Sequence, residues 1–395
     1  MSIRITENTT ARRLQAYDLQ EVLSHEAAGA AFAAISACPL YARTPLRRLD
    51  RVAASSRVAN VWYKDEADRF GLGSFKALGG AYAVARLLQH KLAQRLGRDL
   101  GLPELVQGNL RQQTQQITVT CATDGNHGRS VAAGARIFGC RCVIFLHAEV
   151  SQGREDAIRA YGADIERIAG NYDESVLAAS RAAERNGWDV VSDTSWPGYE
   201  SVPRDVMQGY TVMLIETLQQ LQEHGASRPT HVFVQGGVGG LAAAVCAHLW
   251  EAMGTAAPIT TVVEPERADC LFQSALAGQP TPASGDLSTV MAGLSCGEVS
   301  SEAWRVLSRG ARFFLTIDDA MAIEAMRLLA QCGASEQPII AGESATAGLA
   351  ALIATAADPA LRRQIELTPD SSVLLIGSEG ATDPELYRKL VGQAA

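Results

Sequence analysis

A lysine in a glycine-rich turn is the first residue of the sequence that could carry chemistry. Lys76 follows Ser74 closely in the segment DRFGLGSFKALGGAYA, residues 68–83. Ser74 is predicted to be the N-cap of a helix, which places Lys76 in the first helical turn. The positive end of the helix dipole disfavours a cation there, so it would lower the pKa of the lysine and make its neutral amine a better nucleophile. The alternative is an ordinary lysine that extends its ammonium group into solvent.

A second turn is dense in polar groups and glycines. It has the sequence TCATDGNHGRS, residues 120–130, and lies between an apolar strand and a helix predicted for residues 131–138. Asp124 is a candidate general acid or base, and the amide of Asn126 could donate a hydrogen bond to an oxygen of a ligand. Asp124 could equally be an ordinary helix cap, and His127 is expected to be structural.

A third turn contains four glycines directly after a buried strand, in the segment HVFVQGGVGGLA, residues 231–242. Backbone amides at a helix start favour an anion, and glycines let the backbone approach it, so this turn is predicted to bind a phosphate. A rival interpretation is a dinucleotide site, because residues 237–242 fit G-x-G-x-x-A and the next strand ends in Glu264. That interpretation assigns no role to the first two turns.

A fourth turn ends another apolar strand in small polar residues, within SVLLIGSEGATD, residues 372–383. The hydroxyl of Ser378 can hydrogen-bond a neutral pyridine nitrogen, whereas a carboxylate would keep that nitrogen protonated. The alternative is that Ser378 only caps the helix that begins near Asp383. The edge of a ring-shaped cofactor could therefore rest on this turn.

The elements that must position these turns alternate between β-rich runs and helical patterns, which predicts an α/β protein with mostly parallel sheets. Ligands of open α/β sheets bind at the carboxyl ends of the strands, so the turns are where a site is expected. A length of 395 residues with 47% hydrophobic content allows two lobes. We predict a large domain of residues 1–89 and 206–395, and a smaller inserted α/β domain of residues 90–205. The predicted strands are residues 58–63, 117–121, 142–146, 190–191, 231–235, 260–263, 313–316 and 373–376.

Composition and charge exclude several classes of function. Lys and Arg number 35 against 43 Asp and Glu, a formal charge of -8, which argues against nucleic acid or an anionic membrane as the main partner. The arginines between residues 43 and 51 are expected to form a solvated surface. The 8 cysteines include no C-x-x-C pair, so no metal site is predicted. The sequence shows no secretory apolar segment and no run of 18 or more apolar residues, which predicts a reduced, cytoplasmic protein.

The four turns, in this order, resemble the fold type II pyridoxal phosphate enzymes, the tryptophan synthase β and threonine dehydratase group. Within that group the sequence is similar to the diaminopropionate ammonia-lyase family, over the region from about Trp62 to Tyr387. The similar motifs are ATDGNHGR at 122–129, VVSDTSWPGY at 190–199, MQGY at 207–210, VEPERADC at 263–270, MAGLSCGE at 291–298 and GES at 342–344. The aspartate before GNHG, where dehydratases usually have Ser or Thr, is among the most specific of these features.

The resemblance implies a role for each turn and an activity for the whole. Lys76 would bind pyridoxal 5'-phosphate covalently, Asn126 would contact the pyridoxal 3'-oxygen, and Ser378 would contact the ring nitrogen. The phosphate would be held by Gly236, Gly237, Val238, Gly239 and Gly240. The implied reaction is β-elimination from both the L and D isomers of 2,3-diaminopropionate, giving pyruvate and two ammonia molecules, in a homodimer.

The two isomers require a proton to leave from opposite faces of the substrate. Lys76 can take the Cα proton from one face, and a carboxylate at Asp124 can serve the other. Asp193, before Trp196 and Tyr199 in its motif, is a candidate for holding the distal ammonium group or for supporting Asp124. An Asx-turn after a strand is the alternative for Asp193.

Some features leave alternatives open. Cys270 and Cys296 lie in two of the motifs and could be neighbours near the entrance of the site, as a disulfide or, as a reducing cytosol favours, as thiols. Ala77 stands where many relatives have a charged residue after the lysine. The alternative activities are a serine or threonine dehydratase of the same fold, an NAD-dependent oxidoreductase and a non-catalytic pyridoxal-phosphate-binding protein.

Overall fold

The chain forms two β-sheets flanked by helices. The structure is a computed structural model, and it describes residues 3–123, 125–331 and 337–392. The strands within these residues are β1 Arg4–Glu7, β2 Leu46–Arg48, β3 Asn60–Asp65, β4 Thr118–Thr123, β5 Arg141–Leu146, β6 Asp164–Arg167, β7 Asp189–Val190, β8 His231–Gln235, β9 Ile259–Pro265, β10 Phe313–Ile317 and β11 Ser372–Gly377. The predicted α/β class with two mostly parallel sheets is confirmed.

Helices connect most of the strands. The α-helices are α1 His25–Ser36, α2 Asp50–Ser56, α3 Lys76–Leu96, α4 Leu102–Val106, α5 Arg111–Thr114, α6 Asn126–Phe138, α7 Gln152–Arg159, α8 Tyr172–Asn186, α9 Ser201–Glu223, α10 Gly240–Met253, α11 Cys270–Ala277, α12 Ser301–Gly310, α13 Asp319–Ala330, α14 Ala347–Ala357, α15 Pro359–Gln364 and α16 Pro384–Val391. Short 3-10 helices occur at Thr9–Arg12, Arg69–Gly71, Gly254–Ala256, Ala292–Leu294 and Ser344–Thr346. None of the helices in the described residues combines the length and the apolar character needed to cross a membrane.

The larger sheet has seven strands in the order β1-β10-β9-β8-β11-β3-β2. Its five inner strands run parallel, and the two edge strands β1 and β2 are antiparallel to their neighbours. Every residue of β8 and β11 is buried, as expected for strands covered by helices on both faces. Because these strands are parallel, the turns after β8 and β11 open at the same edge of the sheet.

The smaller sheet has four parallel strands in the order β6-β5-β4-β7. All four lie between residues 90 and 205, the range predicted for the inserted domain. Helices α3 and α9 run across the two predicted boundaries, so each helix has residues on both sides of a boundary. The boundaries themselves stay a prediction.

Helix α3 packs closely on α6, which follows the small sheet's β4, and on α9. A Cβ on Gly79 would lie 2.4 Å from Cε1 of Tyr210, and a Cβ on Gly209 would lie 2.4 Å from the carbonyl oxygen of Leu78. On the other side of α3, a Cβ on Gly80 would lie 2.6 Å from Oγ of Ser130. The absence of side chains at these glycines lets the three helices approach one another, which fixes the beginning of α3.

All eight predicted strands are present, with ends within two residues of the prediction. The strands that the sequence pattern missed are β1, β2 and β6, and each lies at the edge of a sheet. Edge strands are short and carry charged side chains, so they lack the apolar run that identifies a central strand. Two arginines expected on a solvated surface, Arg47 and Arg48, belong to β2, and Arg47 pairs with Asp65 of β3 at 2.7 Å.

Candidate active site

A cavity of about 360 Å³ lies at the carboxyl ends of strands from both sheets. Its walls include residues that follow β4, β5, β7, β8 and β11, as expected for ligand sites of parallel sheets. The predicted site residues that line it are Lys76, Asn126, Asp193, Gly236, Gly237, Val238, Gly240 and Ser378. Gly239 lies in the same loop, and Asp124 lies outside the described residues.

Lys76 is the first residue of α3, as predicted, but Ser74 does not cap the helix. The N-cap is Phe75, without a capping side chain, and Ser74 forms a β-bridge with Glu379. The amide N–H of Phe75 donates to the carbonyl oxygen of Ser378 at 2.9 Å. The prediction for Ser74 is therefore wrong, because pairing with a distant turn fixes the backbone that leads into the helix.

The ammonium group of Lys76 forms an ion pair with the buried carboxylate of Asp193. Burial raises the pKa of Asp193, but the charges of Lys76 and His127 outweigh that effect, and the pKa is lowered to about 2. The ring nitrogen Nδ1 of His127 lies 4.0 Å from this carboxylate, and Nε2 donates to the carbonyl oxygen of Val191 at 2.8 Å. Asp193 is therefore an ionised group on the cavity wall at neutral pH.

Asn126 begins helix α6, which starts earlier than the predicted residue 131. Gly125 precedes it with φ 146°, a conformation that glycine adopts without a steric penalty. The side chain of Thr123 accepts the amide N–H groups of Gly125 and Gly128, each at 3.0 Å, and these bonds fix the turn. The side-chain Nδ2 of Asn126 donates to the carboxylate of Glu379.

The glycine loop after β8 has the backbone of an anion site. Gly237 and Gly239 have φ of 62° and 101°, and helix α10 starts at Gly240. The first amide N–H groups of a helix have no acceptor within it, and the helix dipole favours an anion there. A Cβ on Gly236 would lie 2.6 Å from Cγ of Glu264, so a larger residue would displace the loop.

Glu264, the acid required by the dinucleotide interpretation, does not line the cavity. It is buried, and its carboxylate accepts the amide N–H groups of Leu271 at 3.0 Å and Phe272 at 2.7 Å, at the start of α11. Burial raises the pKa of Glu264 to about 8. Glu264 therefore anchors a helix, and both of its carboxyl oxygens already accept hydrogen bonds away from the cavity, which removes the main support for an NAD site.

Ser378 follows β11 and lies beside Gln235 at the end of β8. The side-chain Nε2 of Gln235 donates to the carbonyl oxygens of Ile376 at 2.7 Å and Ala345 at 3.0 Å, and it lies 3.3 Å from Oγ of Ser378. Ser378 lines the cavity, and its hydroxyl hydrogen can be donated to an acceptor there, such as an unprotonated ring nitrogen. Helix α16 is capped by Asp383, so the alternative role of Ser378 as its cap is wrong.

The sequence patterns did not indicate a group of charged residues at the wall of the cavity. The guanidinium of Arg154 pairs with Glu343 at 2.7 Å, and Arg154 and Glu379 both line the cavity. Burial, and secondarily the charge of Glu379, raises the pKa of Glu343 to about 7. Glu343 lies within the GES motif and Glu379 within the fourth turn, but nothing in local spacing indicates that they meet residues of the smaller sheet's helices.

Cys270 and Cys296 both lie next to Gly237 of the glycine loop. The thiol of Cys270 donates to the carbonyl oxygen of Gly237 at 3.5 Å, and Sγ of Cys296 lies 3.8 Å from the position of a Cβ on Gly237. Neither residue forms a disulfide within the part of the chain that the structure describes. Burial raises the pKa of Cys270 well above its usual range, whereas Cys296 lines the cavity.

The residues of the cavity fit pyridoxal 5'-phosphate. A lysine amine suits its aldehyde, the glycine loop suits its phosphate, and a hydroxyl donor suits its ring nitrogen. The family model described as "Pyridoxal-phosphate dependent enzyme" matches residues 37–379. The fold and the site thus define a pyridoxal-phosphate-dependent enzyme of fold type II.

Similar proteins of known function identify a family within this class of enzyme. The diaminopropionate ammonia-lyase of Salmonella typhimurium is 37% identical over 359 residues, which cover 89% of each chain. The structure of the Escherichia coli diaminopropionate ammonia-lyase with an aminoacrylate-PLP azomethine reaction intermediate has a TM-score of 0.89 and 35% identity, covering 99% of this chain and 97% of that one. The same enzyme with D-serine has a TM-score of 0.87 and 33% identity, with the same coverage. The chain belongs to the diaminopropionate ammonia-lyase family.

Proposed function

We propose that this enzyme eliminates ammonia from both isomers of 2,3-diaminopropionate, with water, to give pyruvate and two ammonia molecules. The observation that carries this proposal is the ionised Asp193 beside Lys76 in the cavity. With the amine of Lys76 engaged by the cofactor, Asp193 would lose this ion pair, and a second ammonium group on the substrate would suit it, because a buried anion needs a cationic partner. Asp193 is thus proposed to hold the distal ammonium group or to support Asp124.

The charge of the whole cavity supports a cationic substrate. The cations in its wall are Lys76 and Arg154, and both are paired with carboxylates. The carboxylates in its wall are Glu149, Asp193, Glu379 and Asp383. This acidic excess favours an amino acid with two ammonium groups over serine or threonine, whose β-substituent is an uncharged hydroxyl.

Residues of this chain are proposed to bind the cofactor from several sides. Lys76 would bind its aldehyde, Asn126 would donate to its 3'-oxygen, and Ser378 would donate to its ring nitrogen. The phosphate would bind the amides of the loop formed by Gly236, Gly237, Val238, Gly239 and Gly240. Pyridoxal phosphate, when bound, supplies the electron sink that stabilises negative charge at the Cα of an amino acid.

Two proton acceptors are proposed for the two isomers. The Nζ atom of Lys76 would take the Cα proton from one face, and the carboxylate of Asp124 would take it from the other. One base would suffice for an enzyme that acts on L-amino acids alone. The same pair of residues therefore distinguishes this proposal from an L-serine or L-threonine dehydratase.

One assay separates these activities. The purified protein loaded with pyridoxal phosphate is mixed separately with L- and D-2,3-diaminopropionate, L-serine and L-threonine, and 2-oxo acid and ammonia are measured. We expect two ammonia per pyruvate from both diaminopropionate isomers and little product from the hydroxy amino acids. Activity confined to serine or threonine would establish the dehydratase instead, and no turnover of any of the four would favour a binding protein.

The assembly and location are also proposals. We propose a homodimer, as the resemblance implies, with a molar mass twice the 42.0 kDa of the chain. Light scattering coupled to size-exclusion chromatography measures that mass directly. We propose a cytoplasmic location, since none of the seven cysteines within the described residues is in a disulfide, as is typical of reducing compartments.

A further inference from the structure

Glu379 is a buried acid on the wall of the cavity. Its side chain accepts the amide N–H of Ser344 at 3.2 Å and the side-chain Nδ2–H of Asn126. In the portion of the chain that the structure describes, no lysine or arginine forms an ion pair with Glu379, and the two cations of the cavity wall pair with Asp193 and Glu343. A buried carboxylate held only by neutral donors costs stability, so its retention beside the cavity calls for a reason.

The loop at Gly342 leaves space for the side chain of Glu379. A Cβ on Gly342 would lie 2.8 Å from Cγ and 3.0 Å from Oε1 of Glu379. The amide of Gly342 also donates to the backbone oxygen of Glu379 at 3.0 Å. The loop before the 3-10 helix Ser344–Thr346 therefore leaves room for the carboxylate and holds it in place.

A carboxylate can only accept hydrogen bonds, and this property decides the orientation of its partner. The side-chain amide of Asn126 carries an oxygen on one branch and a nitrogen with two hydrogens on the other. Glu379 binds the nitrogen branch through one of those hydrogens, so the opposite orientation would place two oxygens against each other. The second hydrogen on Nδ2 stays available to an acceptor inside the cavity that Asn126 lines.

We propose that Glu379 is a positioning residue that turns the Nδ2 donor of Asn126 towards the 3'-oxygen of pyridoxal phosphate. This inference rests on the cofactor contact proposed above for Asn126. The bond joins helix α6, which follows the small sheet's β4, to the turn after β11 of the larger sheet. Glu379 thereby couples the position of the small sheet's helix to the edge of the cofactor that rests on Ser378.

The test is a titration of the cofactor-free protein with pyridoxal phosphate, without any amino acid. Visible absorbance and protein fluorescence give the dissociation constant and the spectrum for wild type, Glu379→Gln, Asn126→Ala and the double variant. Glutamine keeps the shape of Glu379 but can present either a donor or an acceptor, so the orientation of Asn126 is no longer imposed. We expect both single variants to weaken cofactor binding about tenfold and to shift the visible band, and the double variant to resemble Asn126→Ala alone.

Two further variants keep the test decisive. Asp269→Asn removes another buried carboxylate, which pairs with Arg4 at 2.7 Å and does not line the cavity, and it should leave the dissociation constant within twofold of wild type. Glu379→Asp retains the charge but shortens the side chain, so it should weaken cofactor binding as Glu379→Gln does. If Glu379→Gln fails to fold, Glu379→Asp is used in its place.

The outcomes separate this inference from the proposed reaction. A wild-type dissociation constant and spectrum in Glu379→Gln would overturn the role of Glu379. Additive losses of cofactor affinity in the double variant would do the same. In either case the contact of Asn126 with the cofactor stands. Wild-type behaviour of Asn126→Ala would overturn both. The substrate assay uses different ligands, so a failure of the proposed elimination leaves the result of this titration unaffected.

Discussion

Replacing Asp193 by asparagine removes the carboxylate that pairs with Lys76, and the structure gives the size of the effect in the cofactor-free protein. The pKa of Asp193 falls from its usual 3.8 to about 2, which corresponds to about 2 kcal/mol of stability. Because the folded-state pKa is the lower one, this contribution is present above about pH 4 and is lost as the pH falls towards 2. At pH 7 it is fully present.

Urea denaturation at pH 7 measures this contribution in four proteins: wild type, Asp193→Asn, Lys76→Met and the double variant. We expect Asp193→Asn to lower the free energy of unfolding by about 2 kcal/mol, and the double variant to lose less than the sum of the two single variants. Asp189→Asn is the matched control, because its pair with Lys91 is partly exposed and should contribute less than about 1 kcal/mol. Equal losses for Asp189→Asn and Asp193→Asn, or strict additivity in the double variant, would refute the reasoning.

The loaded enzyme provides a second readout for the same variant. If Asp193 holds the distal ammonium group, Asp193→Asn should reduce kcat/KM for diaminopropionate at least tenfold while any residual activity on serine changes little. A loss of the same factor for both substrates would assign Asp193 to the orientation of Lys76 instead.

Three further predictions concern the packing and the reacting groups. Gly209→Ala should lower the stability by about 3 kcal/mol in thermal melts, because its Cβ would lie 2.4 Å from the backbone oxygen of Leu78. Gly29 lies in a helix with open space around it, so Gly29→Ala should instead stabilise the protein by about 0.5 kcal/mol. A similar loss of stability at both glycines would contradict the packing argument. Lys76→Ala should abolish turnover and the visible absorbance band of bound cofactor, and retention of either would exclude Lys76 as the residue that binds the aldehyde. Asp124→Asn should reduce ammonia release from D-diaminopropionate at least tenfold more than from the L-isomer, whereas equal losses would rule out two separate bases.

Local patterns were sufficient to find the central strands and the turns that line the cavity. Apolar runs such as those of β8 and β11 are fully buried, and burial on both faces is what makes a run continuous in the sequence. Parallel strands bring their carboxyl ends to one edge of a sheet, so the sequence alone was enough to assign the lysine, glycine and serine turns to one site. The edge strands β1, β2 and β6 had no such run and were missed.

The sequence by itself determined the fold class, the cofactor class and most of the cavity's lining, because each of these depends on residues close together in the chain. Only the tertiary structure decided the charge partners. Lys76 meets Asp193, Asn126 meets Glu379 and Arg154 meets Glu343 across separations of 117, 253 and 189 residues. The pairing of Ser74 with the last turn likewise replaced the helix cap that local spacing favoured. The physical reason is that the partner of a carboxylate depends on which strand ends are adjacent in the assembled sheets. The local spacing of residues in the sequence does not indicate that arrangement.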